Sequence, residues 1–318
     1  MPATDKRAAY SLFALVVLTA ACGNLSQTAV NAMMMGIVAD MGVTVELGQW
    51  LSTGYMLMLG VAVPAVTWIS KRFSAWQHLL LGLGLSLAGS LMCLAAPGFW
   101  VLLAGRILQA VSTGILLPFM TTIAMVSFPP GRQATAMGIA GVAMGFAPNI
   151  GPTVGGAMAS AWGWRSFFVL LAALTCVLTL FALVLVKPSK PHDAAARLDA
   201  VSLSLSTLGL GGVLLGFSNA SSFALISPYV WGPLAVGTAL CAAFVVRQKR
   251  SGNPLIDLGV FRSARFNAGF GAQNLLFASF MGVTLVVPLY VEGLCGGTAL
   301  QAGIVLLPGT VAALVLNP

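Results

Sequence analysis

A single arginine stands where the chain otherwise carries no charge. Arg106 follows the run FWVLLAG that begins at Phe99, and ILQAVSTGILLPFM continues after it. At about 1.5 Å per residue it lies roughly 10 Å into an apolar helix. At that depth a cation either faces a partner or a water-filled cavity, or snorkels back to the nearer interface. Gln109 follows one turn on and is expected to line the substrate cavity, and Ser112, Thr113 and Pro118 come after it on the same helix. Earlier in the chain, Asn24, Gln27, Thr28 and Asn31 recur at spacings of three and four residues, which gathers them on one face. Such a polar face either lines a substrate cavity or hydrogen-bonds to neighbouring helices. Gln273 and Asn274 form a weaker pair of the same kind. Proton transfer across a membrane needs a titratable group within it. The seven acids, Asp5, Asp40, Glu46, Asp193, Asp199, Asp257 and Glu292, all fall in loops or at segment ends. Only Glu292, closing the ninth apolar segment, sits near enough to act with Arg106. There is no Walker loop and no His or Cys ligand cluster, and His78 and His192 fall at loop-side positions. The sequence therefore predicts neither an enzyme nor a metal or cofactor site.

A second set of residues could move rather than react. Gly138, Gly141, Gly145, Pro148, Pro152, Gly155 and Ala159 follow one another at steps of 3, 4, 3, 4, 3 and 4. These steps put all seven on one narrow helical face, smooth enough for close helix approach in lipid. The prolines remove backbone donors and loosen the helix where they sit. The stripe reads as a moving joint between two bundles, with a static packing seam as the alternative.

The elements that must position these residues are membrane helices. Of 318 residues, 58% are hydrophobic and 7% are charged, against roughly 25% charged in a soluble domain. Ten apolar segments of spanning length are expected, at 9–33, 47–69, 77–96, 99–126, 134–159, 163–186, 200–220, 227–246, 266–291 and 299–317. With the N-terminus in the cytoplasm, thirteen of the fifteen Lys and Arg residues fall on the inner side. That distribution follows the positive-inside rule and accounts for the net charge of +8 without nucleic acid. Lys6 and Arg7 before an apolar run ending at Cys22 faintly resemble a lipoprotein signal, but Thr19 and the apolar residues beyond Cys22 favour an uncleaved first helix. The five cysteines have no metal-type spacing and read as small apolar residues. Trp50 and Tyr55 read as interfacial anchors. The chain divides into a six-helix bundle at 1–186, a polar linker at 187–199, two helices at 200–246, a basic amphipathic loop at 247–265 and a further set from 266 to 318. The abrupt apolar end at Pro318 reads as an unfinished second bundle.

Several stretches resemble a known family. LAGRILQA (103–110) is similar to the fourth-helix motif of major facilitator superfamily drug exporters of the fourteen-span EmrB/QacA type, and GFAPNIGPTVGG (145–156) is similar to their fifth-helix antiporter motif. NPLIDLGVFR (253–262) and QAGIVLLPG (301–309) resemble the family's second half. The resemblance implies that Arg106 takes part in proton transfer. It also implies that Gly141, Gly145, Pro148, Gly151, Pro152, Gly155 and Gly156 form the conformational element, and that the helices at 200–246 are an extra pair inserted between two bundles. Lys71 and Arg72 occupy the family's gate loop, with Lys71 where an aspartate is usual, and Ser26 replaces the usual aspartate of the first helix. With WLSTGYML (50–57), these departures resemble the lincomycin-resistance branch.

The expectation is an all-α polytopic protein of that superfamily, with about ten of fourteen helices present. It would sit in the plasma membrane and export small amphipathic compounds by proton-coupled alternating access. A small-solute uptake carrier and a non-transporting fragment or scaffold are the alternatives.

Overall fold

The computed structural model describes residues 3–188, 199–220, 226–250 and 258–288, together with Tyr290 and Val305. Helices dominate it: α1 (Ala3–Met41), α2 (Val45–Gly48), α3 (Trp50–Ala62), α4 (Ala65–Arg72), α5 (Ala75–Leu94), α6 (Phe99–Ser127), α7 (Pro130–Trp162), α8 (Arg165–Leu185), α9 (Ala200–Asn219), α10 (Pro228–Arg250), a 3-10 turn at Leu258–Arg262 and α11 (Ala264–Pro288). No strand occurs among the described residues. Among the described residues six helices (α1, α5, α6, α8, α9 and α10) are individually long and apolar enough to cross a membrane. The protein is an all-α, multi-pass membrane protein.

Local chemistry sets the helix ends. Helix α1 runs past the expected 33 because nothing breaks it until Gly42, whose φ of +63° favours glycine. Ser74 and Gln77 form a reciprocal capping box at the start of α5. Helix α7 opens on Pro130, where a missing amide costs nothing, and is closed by Gly163 at φ +79°. The second expected segment, 47–69, is broken in two between α3 and α4. Pro64 cannot donate to the preceding turn, so the chain bends at Val63–Pro64 before continuing to Arg72. The tenth segment, 299–317, lies outside the described residues apart from Val305.

Helix α1 packs along α7 and against α6 and α8; α5 packs between α6 and α8; α3 lies on α6; and α9 pairs with α10 while touching α3. Two apolar clusters fill the bundle. One, with Phe13, Val16, Phe119, Ile123 and Phe128, lies toward the end where Tyr10 accepts from Arg132. The other, with Met33, Ile37, Leu51, Phe99, Phe167 and Phe168, lies toward the end where Arg165 pairs with Asp40. The residues with chemistry sit between them.

Candidate functional site: a buried polar layer around Arg106

Backbone contact between α5 and α6 creates the layer. A Cβ on Gly89 would stand 2.6 Å from the carbonyl oxygen of Gly105, and one on Gly105 would stand 2.8 Å from that of Gly89. Only glycine permits this approach, and it brings Gln109, one turn beyond Gly105, onto Ser90. Gln109 Nε2 donates to Ser90 Oγ at 2.9 Å, and Ser90 in turn donates to the Ser86 carbonyl at 2.8 Å. Helix α1 supplies Ser26 from the opposite side, whose Oγ donates to Gln109 Oε1 at 3.2 Å.

Arg106 stands at the centre and is 0% exposed. Its Nη1 donates to Ser26 Oγ at 2.6 Å and Gln109 Oε1 at 2.9 Å, and its Nε donates to the Leu51 carbonyl at 3.5 Å. The guanidinium carbon lies 4.3 Å from the centroid of the Tyr55 ring, a cation–π contact. Tyr55 is held by its hydroxyl, which donates to the Gly23 carbonyl at 3.0 Å and lies 2.8 Å from Thr113 Oγ1. Every partner is neutral, and Nη2 has no hydrogen-bond partner among the described residues. Burying a cation without a counter-charge is expensive, and neutral acceptors with a ring face offset only part of that cost.

One open alternative is decided here and one expectation is corrected. Arg106 does not snorkel: its side chain turns inward, because a hydroxyl, an amide oxygen and an aromatic face lie within reach. Tyr55 is no interfacial anchor: it is fully buried and forms one wall of the Arg106 site. Ser90 belonged to no sequence motif. Its signal was the conjunction of Ser86 and Ser90 one turn apart with glycines at 89 and 105.

The other predicted residues are distributed unevenly. From the α1 face, Asn24 Nδ2 lies 3.2 Å from Met144 Sδ of α7, and Asn31 Oδ1 accepts from Ser52 of α3 at 2.5 Å. Thr28 Oγ1 turns back to the Leu25 carbonyl at 3.3 Å, and Gln27 is half-buried. On α7 the buried positions are Ala136, Ala140, Ala147, Gly151 and Gly155. These lie roughly a quarter turn around the helix from the centre of the glycine–proline stripe. A Cβ on Gly151 would collide with Thr28, and one on Gly155 would stand 2.8 Å from Ala29 Cβ. Gly155 therefore belongs both to the stripe and to the α1 seam. Gly141, Pro148 and Gly156 are half-buried, Pro152 is exposed, and a Cβ on Gly145 would meet nothing within 4 Å. The face that packs is thus the neighbour of the stripe, because alanine and glycine at steps of four line it up against α1.

Lys71 and Arg72 are exposed at the end of α4. Gln273 and Asn274 are exposed on α11, where Asn274 Nδ2 donates to the Phe270 carbonyl at 2.7 Å, and the structure does not bring them to Arg106. Glu292 lies outside the described residues.

Outside the spans, Asp199 caps α9 and is bound from α10. It accepts from Ser202 N at 3.1 Å and Ser202 Oγ at 2.6 Å, and pairs with Arg247 at 3.0 Å. The Ser202 hydroxyl, followed by Arg247, lowers its pKa to about 2.

A family model described as the Major Facilitator Superfamily matches residues 16–318. The Lincomycin resistance protein LmrB of Bacillus subtilis is 32% identical over 95% of this chain and 64% of its own length. The uncharacterized MFS-type transporter YhcA of the same organism is 33% identical over 99% of this chain and 59% of its own. The Multidrug export protein EmrB of Escherichia coli is 22% identical over 92% and 58% respectively. The chain spans about three fifths of the length of these curated relatives. Among solved structures, a peptide transporter crystallised with sulfate superimposes at a TM-score of 0.56 with 16% identity, over 77% of this chain and 52% of that one, a likeness of fold alone. With this fold and a family match running from residue 16 to 318, the chain belongs to the Major Facilitator Superfamily.

Proposed function

We propose that this chain carries the N-terminal bundle and the following helix pair of a secondary active exporter of small amphipathic organic compounds. It acts by alternating access and is driven by protons. The observation that carries the reading is the fully buried Arg106, held by Ser26, Gln109, Leu51 and Tyr55 midway between two apolar clusters. An ionisable group at membrane depth marks a substrate or ion pathway. Similarity to proteins named for lincomycin resistance and multidrug export supports export as the direction.

In this reading Arg106 is the charged element that senses or relays protonation, with Glu292 as its partner. Gln109 and Ser26 orient its guanidinium. Asn24, Gln27, Thr28 and Asn31 of α1, with Gln273 and Asn274 of α11, supply a neutral polar lining for the substrate. The fifth-helix motif residues Gly141, Gly145, Pro148, Gly151, Pro152, Gly155 and Gly156 form the conformational element along which one bundle rocks against the other. Lys71 and Arg72 gate the cytoplasmic side, where the N-terminus also lies in the plasma membrane. Among the described residues the groups around Arg106 are neutral, and this neutral polar lining suits a small amphipathic substrate.

Drug accumulation tests the reading. Efflux-deficient bacteria expressing the protein are loaded with ethidium or a lincosamide, with and without an uncoupler. Lowered accumulation that the uncoupler abolishes is the expected result. Lowered accumulation that survives the uncoupler removes proton coupling, and unchanged accumulation of both compounds removes export.

A further inference from the structure

We infer that a groove between the N-terminal bundle and α9 is a binding site for one anionic phospholipid of the membrane. The groove is open, about 220 Å³ in volume and lined almost wholly by apolar side chains. Ala65 and Ile69 of α4, Leu81 and Leu85 of α5, and Leu203 and Thr207 of α9 form its walls. In a membrane-spanning protein an open apolar channel between helices faces acyl chains, and a hydrocarbon tail fills it without desolvating any polar group.

Charge at one end selects the headgroup. Ala65, Ile69 and Arg72 stand at positions i, i+4 and i+7 of the same helix, so Arg72 emerges on the face that lines the groove, one turn beyond Ile69. Lys71 adjoins it, and both are exposed. Leu203 and Thr207 lie one and two turns from the start of α9, at the same end of the bundle. The acid beside this end, Asp199, is already engaged by Ser202 and Arg247. A phosphate held by Arg72 therefore places its tail directly along Ile69 and Ala65. A cation at the end of an apolar slot fits a phosphatidylglycerol-type lipid better than a zwitterionic one, since a nearby Arg favours an anionic headgroup. The bound lipid would fasten α9 to α4 and α5 at the point where the chain leaves its first bundle. This inference does not depend on the transported substrate or on Arg106.

Native mass spectrometry of the purified full chain in detergent tests it, with phosphatidylglycerol and phosphatidylcholine of identical acyl chains as probes. The wild type should retain phosphatidylglycerol at least about fivefold more tightly than phosphatidylcholine. Arg72→Gln should erase most of that preference while leaving tail binding intact. Thr207→Trp, which fills the groove, should displace both lipids, and Leu203→Phe provides a milder filler should the tryptophan disturb folding. Glycerol phosphate without tails should not compete. Equal retention of the two lipids by the wild type, a preference unchanged in Arg72→Gln, lipid binding unchanged in both fillers, or effective competition by glycerol phosphate would each overturn the site.

Discussion

Two arginines in this chain meet the same problem in opposite ways. Arg247, at the end of α10, is 44% exposed and pairs with a carboxylate, Asp199, at 3.0 Å. Arg106 has no exposure and, among the described residues, no carboxylate; its neighbours are a serine, a glutamine, a backbone carbonyl and a tyrosine ring. Where headgroups and water can solvate a cation, an ion pair adds little, typically under about 1 kcal/mol. At the centre of a bundle every acceptor matters, and leaving a buried cation short of partners costs several times more. The bundle therefore holds an underneutralised charge inside and a neutralised one at its edge. Stability alone would favour the reverse, which is why the proposed coupling role is placed on Arg106.

Removing the guanidinium should give the largest effect. Arg106→Ala removes the donor to Ser26 Oγ and leaves Gln109 Oε1 only the Ser26 hydroxyl, and it should abolish uncoupler-sensitive drug efflux while the protein still reaches the membrane, as followed by accumulation and immunoblot. Arg247→Ala should leave efflux close to wild type, and equal loss in both variants would erase the distinction between the two regions. Next comes the seam that holds α1, and with it Ser26, in place. Gly151→Leu drives a side chain into Thr28 and the Leu25 carbonyl. Overpacking of about 1–3 kcal/mol should separate α1 from α7, lowering thermal stability in detergent and efflux together.

A smaller effect is expected from Tyr55→Phe, which keeps the ring over Arg106 but removes the bonds to Gly23 and Thr113. It should cost about 1 kcal/mol of stability and slow transport without abolishing it. The smallest belongs to the edge. Asp199→Asn keeps the helix cap and loses only the charge, whereas Asp199→Ala loses both and should cost about 1 kcal/mol more. The Asp199 pKa is lowered to about 2, from about 3.9 in an unfolded chain. Its charge contribution is therefore complete above the higher value and is lost as pH falls through the lower one. Wild type and Asp199→Asn should differ in melting temperature at neutral pH and converge in strong acid.

Much of this was legible in the residues. Runs of apolar side chains announced the helices, and Arg106 announced the polar layer through its depth alone. Pro64 was visible too, but whether a proline kinks or breaks a membrane helix depends on what its neighbours satisfy, so 47–69 read as one span. Tyr55 was misread for a related reason. A tyrosine near a helix start suits an interface by composition, and only the approach of α3 to α6 shows that its ring covers a guanidinium. Ser90 reaches Gln109 because two glycines on different helices coincide, a pairing that no single stretch of sequence displays. The small-residue stripe on α7 was visible in the spacing, yet the seam with α1 lies a quarter turn away, since partner choice is a tertiary property.

The most direct test of the central claim is substrate-driven proton movement in everted membrane vesicles, comparing wild type with Arg106→Lys. Lysine keeps a positive charge but cannot bridge Ser26 and Gln109 while lying flat over Tyr55. Adding ethidium to energised wild-type vesicles should release protons, and the Arg106→Lys vesicles should show little or no release at equal protein content. Proton release by Arg106→Lys matching the wild type would contradict the claim that the geometry around this guanidinium couples transport.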